Sequence, residues 1–212
     1  MNRVFSEAQF WDGRAASLDK ISKIAGYKPL FKAAFGDDKV TIDRIGKAIA
    51  TFERTVVAGN SPYDRYQDGD KSALSPSATR GMELFTGKAK CSVCHAGFNF
   101  ADEKYHNLGV GIDKTPVDKG REEFTKKAED RGQYKTPTLR NIADTAPYMH
   151  DGSEKTLEDT VEFYNKGGVK NPNLDKEMKP LNLTDQEKAD LVAFMKALSG
   201  EVTQVAVPAP VD

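Results

Sequence analysis

The five residues Cys91-Ser92-Val93-Cys94-His95 constrain this chain more than any other feature. Cysteines at this spacing can add to the two vinyl groups of a haem, and the adjacent histidine is then held under the iron as proximal ligand. A fold built on the motif has to wrap a flat prosthetic group, so its core is expected to be partly haem rather than peptide. The rival is a thiol redox pair, which expects a strand running into a helix; here a helical pattern precedes the cysteines and loop-like sequence follows. Zinc would need two further ligands, and the remaining histidines, His106 and His150, stand at spacings unlike common zinc sites. Both cysteines of the chain lie in the motif, which leaves no sulfur for a structural disulfide.

Composition narrows the other choices. At 38% hydrophobic and 30% charged, the 212 residues can build one or two globular units and do not read as disordered or fibrous. Lysine plus arginine total 31 against 32 acidic residues, a balance that gives no reason to expect nucleic acid or an anionic membrane as partner. No stretch approaches the roughly 18 consecutive apolar residues of a membrane span. The opening residues lack the basic and apolar regions of a signal peptide.

Residues 41–58 read as an amphipathic helix, with Thr41 as cap and Ile42, Ile45, Ile49, Phe52 and Val56 on one face. The run Asn60–Asp70 is rich in turn residues and is expected to be a boundary loop. Ser75-Pro76 opens a second helix, serine as N-cap and proline where its missing N–H costs nothing. Residues 96–135 are glycine-rich, charged and weakly periodic, so long irregular loops are expected there. Thr156 starts a helix that Gly167-Gly168 ends, and Thr184 with Glu187 forms a capping box ahead of a helix stopped by Gly200. No convincing strand is visible. The expected class is all-α: a cytochrome c-like helical domain wrapped around haem over 71–200, a helical segment over 1–70 before it and a flexible tail, 201–212, after it.

A second axial ligand to the iron would come from downstream of the motif, and Met149, His150, Tyr164 and Met178 are the candidates. Met195 stands at helical spacing, where methionine is usually core. Met178 lies in the polar run Asp175–Pro180, where exposure of a thioether would otherwise be unexplained. Tyr164 lies at a helix end, where tyrosine ordinarily turns its hydroxyl to the surface. Met149 and His150 share a Pro-Tyr-Met-His-Asp-Gly turn suited to lining a haem edge. Residue chemistry alone does not choose among the four.

Several segments, taken in chain order, resemble the bacterial dihaem cytochrome c peroxidases and the related methylamine-utilisation dihaem enzymes. They are Phe10-Trp-Asp-Gly-Arg-Ala15, Ala48-Ile-Ala-Thr-Phe-Glu-Arg-Thr55, Asn60-Ser-Pro-Tyr-Asp-Arg65, Cys91–His95, Thr136-Pro-Thr-Leu-Arg-Asn141, Ala146-Pro-Tyr-Met-His-Asp-Gly152 and the stretch from Leu183 to Gly200. The resemblance implies a two-domain enzyme with one haem in each domain. Hydrogen peroxide is reduced to water at the N-terminal haem, and a small cytochrome c or cupredoxin delivers electrons to the C-terminal one. Cys91–His95 matches the C-terminal, electron-accepting haem, so one covalent haem c is expected, on Cys91 and Cys94, with His95 as proximal ligand. Trp11 matches the tryptophan between the haems, an inter-haem electron route. Tyr164 matches the sixth-ligand position, a methionine in the peroxidases and a tyrosine in the methylamine-utilisation branch. It is the first choice, with Met178 next. A phenolate ligand favours ferric iron and lowers the potential. The resemblance also implies an inter-domain calcium ion held by backbone carbonyls, for which Lys135 and Pro137 are the matching positions. It implies the periplasm as well, so an N-terminal part is expected to precede Met1 in the natural protein.

Two departures shape the functional expectation. The chain holds no second Cys-x-x-Cys-His, and Asp19–Gly26 runs almost directly into Tyr27, where the family carries a segment with an active-site glutamine and glutamate. Cleaving a peroxide O–O bond needs an open iron site and a positioned acid–base group, and neither can be named here. The expectation is therefore the electron-transfer haem domain of a peroxidase-like protein, with 1–70 as a helical remnant of the N-terminal domain and bridging segment. A second haem domain or a homodimer would complete it. The alternatives are a stand-alone monohaem electron-transfer cytochrome and a degenerate, non-catalytic fragment.

Overall fold

Hydroxyl side chains at helix starts decide where most of the helices begin. The structure, a computed structural model, describes residues 10–13, 19–203, 205–206, 209 and 211. Among them the helices are α1 (Tyr27–Phe35), α2 (Ile42–Glu53), α3 (Pro62–Gln67), α4 (Pro76–Thr86), α5 (Glu122–Thr125), α6 (Leu157–Lys166) and α7 (Asp185–Lys196). Thr41, Ser61, Ser75, Thr156 and Thr184 each accept a backbone N–H in the first turn of α2, α3, α4, α6 and α7. For α3, α6 and α7 the third helical residue returns the bond in a capping box. No helix among the described residues is long and apolar enough to cross a membrane.

The chain divides into two compact units, 1–57 with 202–212, and 58–201. In the first, α1 and α2 bury Phe31 and Ile45 with Ile21, Tyr27, Phe35, Val40, Ile42 and Ile49 around them. In the second, α4 lies against α7 so closely that a Cβ on Gly81 would meet the Asp190 carbonyl oxygen at 1.9 Å. Edge-on aromatic contacts join Tyr63, Phe85, Phe100 and Phe194 beneath this crossing. Burying a ring such as Phe194, 1% exposed, contributes about 2–3 kcal/mol.

The all-α expectation holds in outline, with local corrections. Four short strands are present: β1 (Ala58–Gly59), β2 (Tyr105–Asn107), β3 (Gln133–Lys135) and β4 (Glu201–Val202). The loop expected over 96–135 is tied by β2 and β3, which pair antiparallel with Tyr105 opposite Lys135 and His106 opposite Tyr134. Buried Asn107 knits the flanking turns, donating to the Arg131 carbonyl at 2.6 Å and accepting from the Gly109 amide at 2.8 Å. The expected boundary loop at 60–70 contains α3, whose Ser61, Pro62 and Asp64 are the same start signals as Ser75-Pro76. Helix α2 stops at Glu53 rather than running to 58, and the Thr55 hydroxyl bonds the Phe52 carbonyl at 2.7 Å. Helix α7 ends at Lys196 rather than at Gly200. Gly200 serves a close approach instead: a Cβ there would lie 2.1 Å from the Gly59 carbonyl oxygen.

Candidate haem site

Helix α4 delivers the cysteine motif. Past its end the chain turns through Lys90, at φ 52°, into a short 3₁₀ turn over Cys91–Val93, and the His95 amide closes back on the Cys91 carbonyl at 2.9 Å. Both cysteines are half-buried thiols. Burial, with a smaller push from Cys94, raises the Cys91 thiol to about 12.

The His95 ring is oriented by its own loop. Its Nδ1 lies 2.8 Å from the Phe100 carbonyl oxygen. A carbonyl can only accept, so Nδ1 carries the proton and Nε2 keeps its lone pair for a metal. Burial pushes the ring's pKa down, which keeps it neutral.

Tyr164 lies in the last turn of α6. Its phenol is pushed well up by burial and then by the neighbouring sulfurs of Cys91 and Cys94. The residue is half-buried rather than exposed. A phenol near two thiols, with a neutral imidazole in the same motif as the thiols, is a donor set whose chemistry fits a covalently attached haem.

Met178 is half-buried rather than exposed. Its terminal methyl lies where a Cβ on Gly168 would come within 2.9 Å, and this packing explains a thioether in a polar run. His150 is committed elsewhere: its ring stacks on Tyr134 at 3.4 Å between centroids, and its Nε2 lies 3.1 Å from Asp118, which also accepts from the Tyr134 hydroxyl. Trp11 lies in the first unit and is 44% exposed.

Of the two calcium positions, Lys135 ends β3 and Pro137 follows two residues later. The Lys135 ammonium donates to the Thr136 carbonyl at 2.8 Å and pairs with Glu103 at 2.8 Å, while the Pro137 carbonyl acts on the His95 ring. Calcium asks for six to eight oxygens, so carbonyls at Lys135 and Pro137 would be a minority of any such set.

One cluster escaped the sequence reasoning. His106 Nδ1 lies 2.6 Å from Asp175 and 4.0 Å from the Cys94 sulfur, and its Nε2 lies 2.9 Å from Asp102. Cys94, then Asp175 and Asp102, push His106 up to about 10. With Cys94 converted to a thioether the first of these influences goes, and the two carboxylates still favour an imidazolium. Cys94, Asp102 and His106 bring three ligand atoms within 4.8 Å, a metal-capable group that the spacing argument against zinc did not foresee. It competes with haem for Cys94, so the two uses exclude one another.

Comparison with known proteins adds an independent line. The family profile for di-haem cytochrome c peroxidase matches residues 18–72, and that for cytochrome c matches residues 78–199. The methylamine utilization protein MauG of Methylorubrum extorquens is 37% identical over 233 aligned positions, covering 98% of this chain and 65% of the relative. The MauG protein of Methylophilus methylotrophus is 32% identical, covering 98% of this chain and 69% of the relative. Cytochrome c551 peroxidase of Nitrosomonas europaea is 36% identical, with 98% and 66% covered. The chain thus spans about two thirds of the length of these relatives. The 233 aligned positions exceed the 212 residues here, so the first relative carries internal residues without counterpart in this chain. Among solved structures, a MauG-like protein associated with microbial copper homeostasis superposes with a TM-score of 0.70 at 33% identity, covering 86% of this chain and 61% of its own. The diheme peroxidase BthA from Burkholderia thailandensis, 22% identical, shares the fold at a TM-score of 0.66 over 91% of this chain and 66% of its own.

Proposed function

Because this chain belongs to the family of di-haem cytochrome c peroxidases and MauG proteins, we propose that it is the electron-transfer haem c domain of a peroxidase-type oxidoreductase. In this reading it works with a second haem domain, which reduces hydrogen peroxide. The observation that carries it is the His95 ring, whose Nδ1 is committed to the Phe100 carbonyl at 2.8 Å and whose Nε2 is thereby left for iron, in one short turn with Cys91 and Cys94.

Bound haem would supply a one-electron iron couple. Cys91 and Cys94 would be consumed as thioethers, and His95 through Nε2 and Tyr164 through its phenolic oxygen, deprotonated as metal ligands are, would hold the iron. Met178 is the second choice in place of Tyr164. Were His95 and Tyr164 both to hold the iron, peroxide would have to react at the haem of another domain. Trp11 is the proposed route toward it. The donor would be a small cytochrome c or cupredoxin, and the compartment the periplasm. An inter-domain calcium ion held partly by the Lys135 and Pro137 carbonyls belongs to the same proposal.

The test is the spectrum of the chain loaded with haem in the periplasm, ferric and ferrous, before and after hydrogen peroxide. A six-coordinate centre that ignores peroxide supports the proposal. A fast change on adding peroxide would mean this single haem is itself the reacting site, and absence of covalent haem would sink the assignment altogether.

A further inference from the structure

Three successive carbonyls in the loop after the cysteine motif each meet a different donor. Phe98 accepts from Arg140 Nε at 3.0 Å, Asn99 from the Thr138 hydroxyl at 2.6 Å, and Phe100 from His95 Nδ1 at 2.8 Å. The third bond, with a smaller influence from the Pro137 carbonyl, sets the tilt and basicity of the candidate iron ligand, and the first two fix the peptide planes that lead to it. Phe100 is held at φ 51°, a left-handed conformation that is strained for a bulky residue and persists only where its surroundings over-determine it.

Arg140 is built for that task. Its side chain is 13% exposed, Nη1 donates to Asp64 at 2.5 Å on α3, and the guanidinium lies 4.7 Å from the Phe98 ring centroid and 5.3 Å from that of Phe100. One planar cation therefore ties α3 to the loop by an ion pair, a backbone hydrogen bond and cation–π contacts at once. Lysine cannot reproduce that combination.

We propose that Arg140, anchored by Asp64, is a positioning residue that acts through the 98–100 carbonyls to hold Phe100 against His95 and so tunes the iron that His95 would bind. A hydrogen bond from Nδ1–H makes an imidazole a stronger donor to ferric iron and keeps the potential low. Loosening the loop weakens that bond and moves the potential up. The inference rests on the haem reading above.

The experiment compares haem-loaded wild type with Arg140→Met, Arg140→Lys and the near-isosteric Thr138→Val. It reads the midpoint potential and the paramagnetically shifted Nδ1–H resonance of His95. All three variants are expected to shift the potential upward and to speed exchange of that proton, with no rescue by lysine. Thr138→Val leaves the ion pair intact and keeps the test decisive if the Arg140 variants fold poorly. Potential and exchange unchanged, whatever happens to stability, would overturn this role for Arg140 alone. A wild type without covalent haem would overturn the haem reading and this inference with it.

Discussion

Asp190 on α7 grips Arg80 on α4: Oδ2 accepts from Nε and Oδ1 from Nη2, each at 2.8 Å, with the carboxylate only 3% exposed. Ser77 adds a third bond at 2.6 Å and Gln186 a fourth at 3.0 Å, so every donor around the buried charge favours its ionised form. These bonds, Arg80 foremost, outweigh burial and hold the carboxyl at about 2.

An unfolded aspartate titrates near 3.9, so between about pH 4 and 2 the unfolded chain binds more protons at this site than the folded one. The stabilisation is therefore fully present above about pH 4 and is lost as the pH falls through about 2. It amounts to about 2 kcal/mol. Urea denaturation from pH 7 down to 2.5 is expected to show wild type losing more stability than Asp190→Asn, by about that amount. Parallel curves for the two proteins would show that the pair has no acid-linked role.

Gly81 lies on α4 directly beneath the same residue. In an exposed helix Gly→Ala stabilises by about 1 kcal/mol. Here the added carbon would meet backbone, the Asp190 carbonyl oxygen at 1.9 Å, and the Phe194 Cβ at 2.8 Å. Overpacking of this kind costs about 1–3 kcal/mol or more. Gly81→Ala should therefore lower the melting temperature, and a rise would mean the helices cross less tightly than described.

What could be read from the chain alone was local. Thr41, Ser75, Thr156 and the Thr184–Glu187 box are chemistry between neighbours within one turn, and each caps the helix expected of it. The Ser61-Pro62 start carried the same signal, overlooked because turn residues crowd around it. The Arg80–Asp190 pair, 110 residues apart, and the His106–Asp175 pair, 69 apart, had no local signature at all. Their partners are chosen by how loops and helices meet, and a single sequence does not record that. The pairing of β2 with β3 was hidden for the same reason: three-residue strands show no alternation to read. At the candidate site the motif Cys91–His95 was legible as a unit, whereas the Phe100 carbonyl that orients His95 was not, because backbone acceptors leave no mark on side-chain identity.

The two cysteines can be separated from the histidine by what each variant loses. Cys91→Ala and Cys94→Ala each remove one thioether, so each chain should keep at most a single covalent link, visible as a shifted pyridine haemochrome band. The double variant should retain no haem on a denaturing gel. His95→Ala keeps both sulfurs and should lose the proximal ligand field while haem stays attached. Unchanged haem content and spectra in all of these would refute the site.

Tyr164 and Met178 make opposite predictions for the second axial ligand. A phenolate is a hard anion that stabilises ferric iron, so Tyr164→Phe should raise the midpoint potential and remove a ligand from the ferric spectrum. The residue's position near both cysteine sulfurs predicts this large response. Met178 packs its methyl end on Gly168, and Met178→Ala should cost about 1–2 kcal/mol of stability, below the range for a fully buried methionine, with the spectrum unmoved. If Met178→Ala alters the ferric spectrum and Tyr164→Phe does not, the thioether is the ligand. Loop 175–180 would then have to rearrange on haem attachment, drawing Met178 off Gly168.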